Sequence, residues 1–273
     1  DTGIFFPAAD TIAFAEGGAE AMRIDASGNI IIANTGGTLY TDTAGGTTNL
    51  RLGLNAGDAI ASGALYNTVV GGEAGTGLTT GDYNTIVGYQ AAIAEMTGGA
   101  NSFYGSQAGY ATTAGYDNTA IGYSALRTNI LSGRNVAIGR NALYTHDTAS
   151  GANGYNVTVG YDAGKLIETG TSNTFLGGLC GQNVTTGNNN VLLGYSVETP
   201  AVDTAQVIGI GSSVTTQAAN NFTFGFGSTD SNIAFGATSI TAPSDERYKE
   251  DIADSTAGLS FIKDLRPVTF KWK

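Results

Sequence analysis

The sequence predicts an all-β chain whose body is a parallel β-roll or β-solenoid of about 17-residue repeats, closed by a short α+β segment at the C-terminal end. Three observations carry this reading. A phrase of Asn, three strand-forming residues and Gly returns as NTVVG at 67, NTIVG at 84, NSFYG at 101, NTAIG at 118, NVAIG at 135, NVTVG at 156, NTFLG at 173 and NVLLG at 190. Its asparagines are 17, 17, 17, 17, 21, 17 and 17 residues apart, and self-similarity at a fixed period is the mark of stacked repeats. The composition has 41 Gly, 4 Pro and 13% charged residues. That glycine has no collagen period, and 41% hydrophobic residues is too apolar for a linker.

The chain divides into an N-terminal β-strand module (1–48), regular repeats (49–200), degenerate repeats or stem (201–243) and the start of a different C-terminal domain (244–273). In the first part, strands are expected at Thr11 to Phe14, Glu20 to Ile24 and Asn29 to Ala33, separated by glycine turns. NLRLG at 49 is a degenerate first repeat. Within the regular frame the second to fourth residues suit a strand, and the fifth is Gly in every copy, a residue able to take positive φ. The eighth is small: Ala74, Ala91, Ala108, Ala125, Ala142, Ala163 and Cys180. Cys180 is therefore read as a buried filler.

A coil of 17 residues has a contour of only about 56 Å, so its interior is expected to admit little beyond Ala, Val and Ile. The sixth position alternates Gly72, Tyr89, Ser106, Tyr123, Arg140, Tyr161, Gly178, Tyr195. Rings on consecutive rungs about 4.8 Å apart would crowd, which makes the alternation a structural two-rung period; a tyrosine binding ladder is the functional alternative. Beyond Val191 the frame loosens, with shortened copies expected at Ala205 to Gly209, Asn221 to Gly225 and Asn232 to Gly236. From Thr241 the sequence is charge-rich. Ser255 or Thr256 can cap a helix carrying Leu259, Ile262 and Leu265, and Pro267 ends it before a strand at Val268 to Trp272.

A net charge of −11 argues against nucleic acid or an anionic membrane as partner, and Lys and Arg never cluster along the chain. One cysteine excludes an intrachain disulfide. No apolar run approaches the roughly 18 residues of a membrane span. The start at Asp1, without a leader, reads as a piece of a longer or processed polypeptide. His146 is the single histidine, which removes most general-base and metal constructions; no cofactor and no metal site is expected. It lies with Tyr144 and Asp147 in the one enlarged repeat, whose four extra residues are expected to bulge at Tyr144 to Tyr155. This bulge is the candidate binding site, with a tolerated insertion as the plainer reading. The carboxylates form no paired or calcium-repeat pattern, so the shaft shows no sign of glycan-cleaving chemistry.

The segment DTIAFAEGGAEAMRIDASGNIII resembles a strand-rich module of phage tail fibres. The NTxxG repeats, over residues 49 to 236, resemble the heads of trimeric autotransporter adhesins, which implies a β-roll coiling as three chains around one axis. A thin solenoid has a small core and open edges, so a homotrimer agrees with its physics. The tail, Ser244-Asp245-Glu246-Arg247-Tyr248-Lys249 with Leu265-Arg266-Pro267-Val268, resembles the C-terminal intramolecular chaperone of endosialidase-type tailspikes. That resemblance implies a chaperone that assists trimerisation and then cuts itself off, with Ser244 as nucleophile, Lys249 as base and the Pro243 carbonyl as the point of attack. Lys249 must then be neutral near pH 7, which burial can provide. On an extended strand the two side chains would be about 16 Å apart on opposite faces, so the chain must turn between them or a neighbour must supply the lysine. The plainer reading is that Ser244 begins an exposed charged segment.

The functional expectation is a structural trimeric segment of a phage tail fibre or tailspike, located in the virion tail and engaging a host cell-surface receptor, with a glycan as the candidate receptor class. A bacterial surface adhesin and a glycan-degrading tailspike are the alternatives. Any enzyme activity would be a single-turnover Ser/Lys self-cleavage.

Overall fold

A computed structural model describes residues 3–9, 11–16, 19–24, 30–32, 49–60, 64–94, 96–148, 151–227 and 229–237. These residues form strands and turns with no helix. Strands β1 (Gly3–Phe5), β2 (Ile12–Glu16), β3 (Ala19–Ile24) and β4 (Ile30–Ile32) make an antiparallel sheet in chain order. The three expected strands lie there, displaced by a residue or two. The helix and strand expected in 244–273 lie outside the described residues.

The second sheet has twelve strands, again in chain order: β5 (Leu50–Leu52), β6 (Thr68–Val70), β7 (Thr85–Val87), β8 (Ser102–Tyr104), β9 (Thr119–Ile121), β10 (Val136–Ile138), β11 (Val157–Val159), β12 (Thr174–Leu176), β13 (Val191–Tyr195), β14 (Ile208–Ser212), β15 (Asn221–Phe226) and β16 (Ser231–Ala234). From β5 to β15 every neighbour is parallel. Parallel neighbours one repeat apart define a β-solenoid, each coil adding one rung.

Two residue types lock the register. Gly105 takes φ +135° where the strand leaves the sheet, and a Cβ there would meet Gly122 O of the next coil at 2.5 Å; Gly122 stands in the same relation to Gly139. Side chains are thus barred at the fifth position by both backbone conformation and coil spacing. The phrase-opening asparagines, all buried, form a ladder through the interior. Asn84 Oδ1 accepts from the Asn101 main-chain N–H at 3.0 Å and from its Nδ2 at 3.1 Å, while Asn101 Nδ2 also donates to Gly115 O at 2.9 Å. Each buried amide is satisfied by the coil before it and by its own return strand, as a polar group in a dry interior requires.

The interior is larger than its contour suggested. Phe103 and Phe175 are fully buried. They fit because the residue six places on is Gly: a Cβ on Gly109 would lie 2.6 Å from the Phe103 ring, and one on Gly181 would lie 2.2 Å from that of Phe175. Where the strand residue is Ala120 or Ala137, that same later position holds buried Leu126 or Leu143. Volume is exchanged between two walls of one coil, keeping it filled to interior density.

Two expectations about the stem are corrected. The 17-residue frame runs one rung further: the Val207 N–H donates to Asn190 Oδ1 at 3.2 Å and Leu192 pairs with Gly209, so the repeat is Val207 to Gly211, not Ala205 to Gly209. Valine in place of asparagine ends the ladder and hid the frame. Asn232 to Gly236 is not a further parallel rung, because β16 turns back antiparallel on β15. The copy at Asn221 does stack in parallel.

Candidate functional site

Pro243, Ser244 and Lys249 lie outside the described residues. The enlarged repeat lies within them, and its geometry changes the expectation for it. The Thr128 N–H donates to Tyr144 O and Ile130 N–H to Asp147 Oδ1, separations of 16 and 17 residues as in a regular coil. The Asp147 N–H donates to Glu168 O, 21 residues on. The four extra residues therefore enter between Asp147 and Gly154, whose N–H rejoins Gly133 O. Tyr144, His146 and Asp147 belong to the regular coil and not to a bulge.

His146 is fully buried. It stands eleven residues after its asparagine, the place taken by Leu78, Thr112, Asn129, Ile167 and Val184 in other coils, all buried. Its Nε2 lies 3.1 Å from Ser132 Oγ and 3.4 Å from Asn156 Nδ2. Burial pulls its pKa down to about 4 despite the nearby Asp147 charge, so the ring is neutral at pH 7. It fills the core beside the insertion and offers no contact to an outside ligand. Asp147 uses Oδ1 to accept from the Ile130 and Leu131 N–H groups. Of the three, Tyr144 alone faces an open cavity.

That cavity, about 370 Å³ in volume, runs along the rod over four successive coils. It is built from two frame positions. The seventh supplies Gln107, Ser124 and Asn141; the tenth supplies Arg127, Tyr144 and Lys165, and Tyr123 closes the corner from the sixth. Arg127 is stacked over Tyr110 at 4.7 Å and Tyr144 at 5.6 Å from the ring centroids, and its Nη1 donates to Tyr144 Oη at 3.0 Å. Arg140 lies likewise between Tyr123 (5.9 Å) and Tyr161 (5.7 Å), and Arg134 between Tyr116 (5.2 Å) and Tyr155 (5.8 Å). Lys165 Nζ is 3.3 Å from Asp162 Oδ2. Among the described residues Arg127 and Arg140 form no ion pair.

Sequence reasoning missed these stacks, although the signal was present: Tyr110, Arg127 and Tyr144 share one frame position, as do Tyr123, Arg140 and Tyr161. Lys and Arg do not cluster along the chain, but stacking brings Arg127 and Lys165 to one cavity. The crowding argument for tyrosine fails, since Tyr66 and Tyr83 on consecutive rungs stack with centroids 5.0 Å apart and planes 15° apart. A ring laid flat along the stacking direction needs its thickness and not its width. Tyr89 and Tyr195 do lie over glycines: a Cβ on Gly72 or Gly178 would sit 3.7 Å from them, so there is space for one.

Cys180 is buried at the small-residue position, and burial pushes its thiol up to about 12. It is a packing residue, far from thiolate chemistry at neutral pH. The described residues contain no group of three or more His, Cys, Asp or Glu placed to hold a metal ion, and no helix long and apolar enough to cross a membrane.

Comparison with known proteins bears on the segment beyond this shaft. Residues 244–273 match the family model for the chaperone of endosialidase. A parallel β-solenoid followed by this segment fits a phage tail fibre with a C-terminal chaperone domain. No curated protein and no solved structure matches the chain.

Proposed function

We propose that this chain is a shaft segment of a homotrimeric phage tail fibre or tailspike, serving host-surface attachment, whose C-terminal segment assists trimerisation and releases itself before Ser244. The observation that carries the reading is the endosialidase-chaperone match at 244–273 directly behind a parallel solenoid. The outer face of the solenoid sheet supports the trimer. Alternate strand residues point outward, and the column three places after each asparagine, and after Val207 in the last rung, is Leu52, Val70, Val87, Tyr104, Ile121, Ile138, Val159, Leu176, Leu193 and Ile210. Leu52 is 53% exposed and Leu176 47%. An apolar stripe of this length on one chain is what two further copies would cover.

For release, Ser244 Oγ attacks the Pro243 carbonyl while neutral Lys249 takes the hydroxyl proton and delivers it to the departing Ser244 nitrogen. Water then hydrolyses the Pro243 ester. Denaturing electrophoresis of the purified chain and of Ser244→Ala tests this step. Wild type is expected to yield a product ending at Pro243, and Ser244→Ala to keep its full length. Equal sizes for both would show that Ser244 does not cut.

A further inference from the structure

We propose that the cavity between the sixth, seventh and tenth frame positions, centred on Arg127, binds an acidic saccharide, with the guanidinium holding the sugar's anionic group and Tyr123 and Tyr144 bordering its ring. The proposal rests on the host-attachment reading for the ligand's origin but on the groove for its chemistry.

The charge distribution is the first argument. Residues 118–172 contain four basic side chains (Arg127, Arg134, Arg140, Lys165) against three acidic (Asp147, Asp162, Glu168). Residues 49–117 have one against five, and residues 173–237 none against three. The shaft is thus acidic above and below a middle zone of net +1. Within that zone two of the three carboxylates are engaged: Asp147 accepts two main-chain N–H groups, and Asp162 holds Lys165 and accepts from Asn141 Nδ2 at 2.8 Å. Arg127 is left as a cation with no ion-pair partner among the described residues, facing a cavity.

Preorganisation is the second argument. A free arginine side chain loses much rotamer freedom on binding, but Arg127 is already held between two rings and tied to Tyr144 Oη. The ordering cost is therefore met in the free protein. A guanidinium carries five N–H donors in a planar fork, so most remain for a carboxylate, sulfate or phosphate, which it grips in bidentate fashion. The rest of the lining reads hydroxyls rather than apolar groups: Gln107 and Asn141 bring amides and Ser124 a hydroxyl. Gln107 Nε2 is itself oriented on Gln90 Oε1 at 3.3 Å. The exposed Tyr123 and half-buried Tyr144 beside such amides and a fixed cation suit the mixed C–H and O–H surface of a pyranose bearing an acid group. The groove extends over three rung spacings, about 14 Å, and a short stretch of a repeating polymer would follow it.

The test measures retention of the full-length chain on immobilised acidic oligosaccharides bearing uronate, sialate, sulfate or phosphate, each beside its neutral counterpart. At least one acidic member is expected to be retained over its neutral partner, with affinity falling as salt rises. Arg127→Gln is expected to weaken this retention about tenfold or more, the scale of a lost charge-assisted contact. Arg134→Gln, which removes the same charge from a Tyr sandwich outside the cavity, is expected to leave it within about twofold, since an exposed distant charge is screened. Thermal melts of both variants confirm that each folds. No preference for any acidic member, or equal loss in both variants, would overturn the proposal. A trimer that shows no Arg127-dependent retention loses this site alone. A monomer that binds acidic sugar through Arg127 keeps the site and loses the fibre reading.

Discussion

His146 shows how a single side chain reports its frame position. Unfolded, the ring titrates near 6.5, while burial holds it at about 4 in the folded coil. Between these values the unfolded chain takes up a proton that the folded chain refuses. Its contribution to stability is therefore present above pH 6.5 and is lost as pH falls towards 4, by about 2 kcal/mol at pH 5 relative to pH 7. Asn129 occupies the same position one coil earlier and is also buried, so His146→Asn suits the site. Urea unfolding at pH 7 and pH 5 is expected to show a smaller pH-dependent loss for the variant by that amount. An unchanged difference would mean that other groups carry it.

At the scale of one coil, the exchange of volume between two walls makes a stronger claim. Phe103→Ala alone is expected to cost about 3–5 kcal/mol, as for other buried aromatic truncations. Gly109→Leu alone drives a side chain into the Phe103 ring, whose nearest atom stands 2.6 Å from the added Cβ. Together they recreate the pairing of Ala120 with Leu126, where leucine already takes φ +53°. The double variant is expected to be more stable than either single one, giving a favourable coupling in a double-mutant cycle. Simple additivity would contradict the exchange. The coil also shows what a sequence discloses. The strand, the glycine corner and the small eighth residue were legible because each recurs at fixed spacing. The asparagine ladder was visible as a pattern but not as a bond, since its partners lie 14 and 17 residues away and appear only on stacking. The site of the insertion was hidden for a related reason. A spacing of 21 counts the extra residues, and only the hydrogen-bond register locates them after Asp147. The burial of His146 could have been found by counting eleven residues from each asparagine.

On the scale of the whole molecule, stacking turns scattered residues into surfaces. Arg127 and Lys165, far apart in sequence, join in one tyrosine-bordered groove, and one outward residue per rung becomes a continuous apolar stripe. The stripe and the groove use different frame positions, the fourth against the sixth, seventh and tenth, so the proposed assembly and the proposed ligand site can be tested by separate mutations. The chaperone segment was legible through the short run from Ser244 to Lys249 and is matched by a family model over 244–273. The central claim is that the solenoid is one of three copies wrapped about its apolar stripe, and native mass spectrometry of the Ser244→Ala chain, which keeps its full length, tests it most directly. With a protomer of 27.7 kDa, the account predicts a particle of three times that mass, about 83 kDa. Leu176→Asp is expected to return it to the monomer mass with the β signal in circular dichroism retained. A Ser244→Ala chain that stays a folded 27.7 kDa monomer at micromolar concentration would contradict the account.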